Sequence, residues 1–206
     1  MLKYYIIFTL ALLTNSLLFS QQNSSVDYKV YSSLIKSEVI GKTKSVTIVD
    51  KLKNDTTSIP WITEAIKSKD PQQLEQLRFL TRDENGNSIK AIDTATQSLI
   101  LTFYQTQIKD TVLQNLFNIS DVKVFLIDNF RIKNGSETEW KRFYKKYPGS
   151  GGLFQFSNVC YSRDGKEAIF YHSLFRRGLN AHGALTIMQN VNGEWKIKYH
   201  IDFWQA

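Results

Sequence analysis

Residues 140–152 read WKRFYKKYPGSGG and place four cations, four aromatic rings and three glycines side by side. The stretch is either a grip for phosphate or nucleic acid, or a joint between a helix and a strand. Its internal order decides between them. Ser136 and Glu139 form an S-x-x-E capping box, which starts a helix near Glu137. Trp140, Phe143, Tyr144 and Tyr147 then fall at i, i+3, i+4 and i+7, a single apolar stripe. Lys141, Arg142, Lys145 and Lys146 occupy most of the remaining surface, and the later ones sit where a helix C-terminus favours positive charge. Pro148 forbids continuation, and Gly149, Gly151 and Gly152 permit a turn into a strand beginning near Leu153. A phosphate-cradling loop needs the opposite order, with glycines ahead of a helix N-terminus whose free N–H groups point at the anion. No Lys-Ser or Lys-Thr pair completes such a loop either. The stretch is read as a joint whose rings are tucked beneath the C-terminal sheet, and no nucleic-acid partner is expected.

Downstream of the joint the period changes to two. Residues 153–162, 167–175, 184–190 and 194–204 read as strands, and Asp164-Gly165 and Asn192-Gly193 are hairpin turns. In the last strand Trp195, Ile197, Tyr199, Ile201 and Phe203 alternate with Lys196, Lys198, His200, Asp202 and Trp204. That alternation predicts one buried face and one mainly polar face. Upstream, Val26, Val30 and Leu34, with Tyr31 and Ile35, predict a helix over 26–40 that Gly41 closes. SVTIVDKL reads as a strand. Asp70-Pro71-Gln72-Gln73 starts a second helix with Leu74 and Leu77 facing inward. DENGN at 83–87 is a turn. Residues 94–107 form a third helix, with Leu99, Ile100, Phe103 and Tyr104 buried, and residues 122–128 a further strand. The whole is an α+β domain: N-terminal helices packed on a C-terminal antiparallel meander of about four to five strands. By analogy of fold alone, NTF2-like and cystatin-like cones share that plan.

The N-terminus has the order of a secretory signal. Lys3 is followed by an apolar run from Tyr4 to Leu13, then by polar Gln21, Gln22, Asn23 and Ser24. The run is too short for a transmembrane helix. Cleavage near Ser20 leaves residues 21–206 as one domain, periplasmic or secreted, with the net charge reduced from +7 to +6 by loss of Lys3. Cys160 is the only cysteine, so no internal disulfide forms, and its apolar setting predicts a buried, inert thiol. The positive balance suits an anionic partner.

A resemblance is carried by Trp140, Phe143, Tyr147-Pro148, Ser150 and Gly152, read as W-x2-F-x3-Y-P-x-S-x-G, and continues in FSNVCYSRDGKEAIFY and NGEWKIKYHIDFW. This C-terminal part resembles a family of uncharacterised exported bacterial proteins, many of them lipoproteins. The chain departs from that pattern in having LFRRGLNAHG where such proteins often carry a cysteine-and-glycine segment, and in lacking a lipobox cysteine. The resemblance implies an exported α+β domain and carries no catalytic residue.

Candidate sites gather near the C-terminus. Arg176, Arg177, Asn180 and His182 lie in the connection at 175–183, and an arginine pair there suits carboxylate or phosphate recognition. Lys196, Lys198 and His200 extend this as a basic sheet face. The leading expectation is a non-catalytic exported module that presents this surface to an anionic envelope polymer or a protein. The alternative is an exported hydrolase using His172, His182, His200 and Asp202, with Ser157 or Ser173 as nucleophile, although no G-x-S-x-G elbow accompanies them. A third is a small-ligand cone. No H-E-x-x-H or C-x-x-C pattern is present, so neither metal nor cofactor is expected, and the histidines are read as surface or hydrogen-bonded imidazoles.

Overall fold

A computed structural model describes residues 25–39, 43–52, 59–106, 112–128, 136–177 and 180–206. The N-terminal stretch read as a signal, Gly41 and Gly178 lie outside the described residues. Helix α1 spans 25–39, then come β1 (Ser45–Val49), α2 (Ile59–Ser68), α3 (Pro71–Leu80), β2 (Thr81–Arg82), α4 (Thr94–Gln105), β3 (Lys123–Ile127), α5 (Glu137–Lys146), β4 (Ser150–Phe156), β5 (Cys160–Tyr161), β6 (Glu167–Phe175), β7 (Ala181–Val191) and β8 (Glu194–Gln205). The described residues are α+β. Their strands form one mixed sheet in the order β2-β8-β7-β6-β4-β1-β3, with β5 also paired to β6. No helix among them is long and apolar enough to cross a membrane.

The antiparallel C-terminal meander is present, and the sheet is larger than the expected four to five strands. β1 pairs in parallel with both β3 and β4. All five residues of SVTIV are buried, the signature of a strand covered on both faces, where sequence alternation carries no signal. The predicted strand at 153–162 is two strands with a break. Ser157 makes the break: its N–H donates to the Tyr171 carbonyl at 2.9 Å and its hydroxyl accepts from the Tyr171 N–H at 2.8 Å. The side chain thus replaces a ladder carbonyl, and the freed Ser157 carbonyl accepts the Tyr31 hydroxyl of α1 at 2.8 Å.

Both faces of the sheet are packed. On one, Val30, Tyr31, Leu34 and Ile35 of α1 join Ala168, Phe170 and Leu174 of β6, Met188 of β7 and Trp195 of β8. On the other, Ile62, Leu77, Leu99, Ile100 and Phe103 of α2, α3 and α4 join Ile169, Tyr171, Leu185, Ile187 and Ile201. The caps at Asp70 and Ser136 act as the sequence predicts: Asp70 accepts from Gln72 and Gln73, and Ser136 from Glu139; Asp93, not singled out in the sequence, accepts from Thr96 in the same way. Two apolar assignments are milder than expected, since Leu74 is half-buried and Tyr104 is exposed.

The strict alternation of β8 is broken by two bulges. Register shifts between Ile187 and Met188 and again between Gly183 and Ala184 leave Lys198 and Phe203 unmatched in the β7–β8 ladder. The first bulge sends Trp195 and Ile197 to the α1 face but Tyr199, Ile201 and Phe203 to the α2–α4 face. The predicted single apolar face is therefore divided between both cores.

The joint at 140–152 behaves as a joint. Trp140, Phe143 and Tyr147 are buried, Tyr144 is half-buried, and Lys141, Arg142, Lys145 and Lys146 are exposed. The rings sit against Val49, Phe125, Ile127, Leu153 and Phe175, under the parallel end of the sheet rather than beneath β8. Gly149 adopts φ 72°, and its carbonyl accepts from the N–H groups of Lys44 and Ser45 at 3.2 and 3.1 Å. That clasp fixes the start of β4 beside the start of β1 and so sets their parallel pairing. Phe143→Ala is expected to cost about 3–5 kcal/mol by opening a cavity among these rings. Lys145→Ala is expected to stay within about 0.5 kcal/mol in the same denaturant titration. Equal effects would contradict the burial assigned here.

Candidate functional site

The three histidines meet. β6 carries His172 and the adjacent β7 carries His182, both on the α1 face of the sheet, and β8 brings His200 to Thr186. The ring centroids of His172 and His182 are 5.5 Å apart, and those of His172 and His200 are 5.9 Å apart. Thr186, fully buried, lies between two of them. Its hydroxyl is 2.9 Å from His172 Nδ1 and 3.0 Å from His200 Nδ1. Glu38, in the last turn of α1, completes the group: its Oε1 is 3.7 Å from His182 Nε2 and its Oε2 is 3.7 Å from an Arg176 nitrogen.

Burial dominates the electrostatics. It pushes the fully buried His172 down to about 3 and lowers His200, so both imidazoles are neutral near pH 7. Burial also pushes the Glu38 carboxyl up, but the adjoining His182, His172 and His200 outweigh it and hold the group down to about 2. His172 Nε2 is buried and has no hydrogen-bond partner among the described residues. Beside the cluster a cleft of about 510 Å³ is lined by Glu38, Val39, Thr43, Gly151, Arg176 and Asn180.

The expected basic surface is largely neutralised. Arg176 is held by the carbonyls of Gly151 at 3.1 Å and Glu38 at 3.4 Å, besides the Glu38 carboxylate. Arg177 forks onto Glu137 at the start of α5, with Nε 2.9 Å from Oε2 and a second nitrogen bonded to Oε1. Lys198, the bulge residue, donates to Asp93 at 2.7 Å, to Thr96 at 2.9 Å and to the buried Glu167. His200 is half-buried behind Thr186. Of the expected set, Asn180 and Lys196 alone are exposed without a salt bridge or a side-chain hydrogen bond in this network.

The elements of a Ser-His-Asp arrangement are not assembled. Ser157 is engaged in the strand break, Ser173 faces Gln155, and Asp202 is exposed. The hydroxyl between the histidines belongs to Thr186. Cys160 is half-buried rather than buried, and burial raises its thiol above the ordinary range, which keeps it protonated at neutral pH.

A second and larger cleft, about 720 Å³, lies between α1 and the β7–β8 turn. Lys29, Lys36 and Lys196 line it with Ser32, Ser33, Asn118 and Trp195, and Glu194 is the one acidic lining residue. None of these three lysines has an ion-pair partner among the described residues. The Ser32 hydroxyl at this cleft is buried without a hydrogen-bond partner among the described residues. Sequence reasoning missed Lys29 and Lys36, although their seven-residue spacing puts both on the face of α1 opposite Leu34. It also missed Glu38, for which no local signal exists. No family model, curated protein or solved structure matches this chain.

Lys198 gives a pH prediction. Burial raises the Asp93 carboxyl, but its bonds to Lys198 and Thr96 prevail and hold it down at about 2, against an ordinary 3.8. A carboxyl lowered on folding stabilises the fold fully above its unfolded value and loses that contribution as pH falls through its folded value. Unfolding free energy is therefore expected to fall from about pH 4 to about pH 2, with a shallower fall in Asp93→Asn. Denaturant titrations across that range measure it, and identical slopes would contradict the assignment.

Proposed function

We propose that this protein is an exported, non-catalytic binding module whose cleft between α1 and the β7–β8 turn takes an anionic polymer of the cell envelope. The carrying observation is the pair Lys29 and Lys36 of α1, which line one ligand-sized cleft without acidic partners among the described residues, with Lys196 at its border on the distant strand β8. Clefts of about 300–1,000 Å³ accommodate a ligand segment. Ser32, Ser33 and Asn118 supply hydrogen-bonding groups beside the cations, and Trp195 supplies an apolar edge. Phosphodiester or carboxylate groups spaced along a chain suit several ammonium groups better than one fixed fork, since lysine is a mobile point charge. The N-terminal apolar run and the resemblance to exported bacterial proteins support placement outside the cytoplasm.

Relative to the basic face expected on β8, this reading keeps Lys196 and replaces Lys198, His200, Arg176 and Arg177 with two lysines of α1. Its test is retention on isolated envelope material at low ionic strength. The triple variant Lys29→Ala, Lys36→Ala, Lys196→Ala is expected to lose most retention. Lys141→Ala, Lys145→Ala, Lys146→Ala, which removes the same charge from α5, is expected to keep it. Added salt is expected to release the wild type. Equal loss in both variants, or unchanged retention in the first, would overturn the proposal.

A further inference from the structure

The histidine cluster has no part in that cleft, and its geometry has a chemistry of its own. Glu38, His172 and His182 each direct one possible ligand atom into a common space, and those atoms lie within 4.8 Å of one another. We propose that this group binds a divalent transition-metal ion of the zinc class, with Glu38, His172 and His182 as its three protein ligands.

Four observations carry the assignment. The first is His172 itself. Its Nδ1 is occupied by Thr186, and its Nε2 is buried with no hydrogen-bond partner among the described residues. A buried ring nitrogen is ordinarily paired, and a cation is the partner that a lone pair on Nε2 satisfies.

The second is the support of that ring. A metal-bound imidazole characteristically engages its other nitrogen in a hydrogen bond, which fixes ring and tautomer. The Thr186 hydroxyl donates only once, so of His172 Nδ1 and His200 Nδ1, both in reach, at least one carries the proton and donates to it. Accepting from His172 Nδ1–H leaves the Nε2 lone pair of that ring free for a cation, and the donated hydrogen bond then falls on His200. His200 is thus a positioning residue, acting through Thr186.

The third is the carboxylate. Its two oxygens are divided, Oε1 towards His182 and Oε2 towards Arg176, each at 3.7 Å. One oxygen is left to a metal while the guanidinium orients the other. The 3.7 Å between Oε1 and His182 Nε2 is close to the separation of about 3.4 Å that two ligands keep around a tetrahedral zinc with bonds of about 2.1 Å.

The fourth is the identity of the donors. Two imidazoles and one carboxylate match zinc, cobalt, nickel or copper(II) and are unlike the all-oxygen shells of calcium and magnesium. With three protein ligands, a fourth position is left for water or a small anion. The cleft bordered by Glu38, Arg176 and Asn180 gives that position access.

The ligands come from α1, β6 and β7, so an ion here ties the end of the helix to the centre of the sheet. The test uses the purified chain, treated with a chelator and then titrated with zinc alone and cobalt(II) alone. One equivalent of zinc is expected to bind and to raise the unfolding temperature with increasing metal concentration. Cobalt(II) is expected to give the intense visible absorption of a four-coordinate site, while magnesium and calcium leave both signals unchanged. Glu38→Gln and His182→Ala alter partly exposed side chains and spare the core, whereas truncating His172 would open a buried hole. Each is expected to weaken zinc at least about tenfold, the effect that even loss of a supporting residue has on a metal site, with the metal-free unfolding transition retained. Cys160→Ser removes the only thiol of the chain and is expected to bind as the wild type does. Wild-type protein that takes up less than about a tenth of an equivalent at micromolar zinc would overturn the proposal. So would binding that survives both Glu38→Gln and His182→Ala.

Discussion

A sheet covered on both faces leaves its central strands no water, and this constraint governs every polar group they carry. β6 is buried along nearly its whole length, and β7 through its middle. Glu167, His172, Ser173 and Thr186 lie on these strands, and leaving any of them unpaired there would cost about 1–3 kcal/mol, more if charged. Glu167 takes Lys198 from the neighbouring bulge and Thr96 from the helix above. His172 takes Thr186, which in turn takes His200. Ser173 faces Gln155 of β4. The side chains that stand out as candidates for chemistry are those for which burial demands a partner.

The same constraint explains what could and could not be read from sequence. The helix starts at Asp70 and Ser136 were legible because caps are local and act within three residues of themselves. The joint was legible because Trp140, Phe143 and Tyr147 form a stripe at helical period with a proline and glycines behind it. The hairpin at Asn192-Gly193 was legible because both residues adopt positive φ, at 54° and 90°. β1 could be found as a strand but not placed, since SVTIV is buried on both faces and its partners, β3 and β4, lie far along the chain. The bulges of β8 had no signal at all. They follow from the ion pair of Lys198 and from the two packing faces, neither of which is visible in alternating letters.

The candidate surface was misjudged for a related reason. Arg177, Lys198 and Arg176 look like free cations in a list of residues, yet their partners Glu137, Glu167, Asp93 and Glu38 lie tens of positions to more than a hundred positions away. Charge in a sequence is a sum, while charge at a surface is what remains after folding has paired it. The histidines are the converse case. The sequence reads them as surface or hydrogen-bonded imidazoles, or together as a hydrolase centre; the pairing of β6 with β7 and of β7 with β8 puts them side by side, and α1 adds the carboxylate.

The bulge at Lys198 has a consequence beyond its own ion pair. β8 is covered on its outer side by β2 only opposite His200 and Ile201, so most of its length borders the sheet. A straight, regularly pleated border strand offers a docking template to any second chain, and fibrous self-association begins from such templates. Two interruptions of the pleat, one bearing an ammonium group drawn back towards Asp93 and Glu167, leave no long uniform run of donors and acceptors for a neighbour to match. The irregularity of the last strand thus helps to keep copies of the molecule apart.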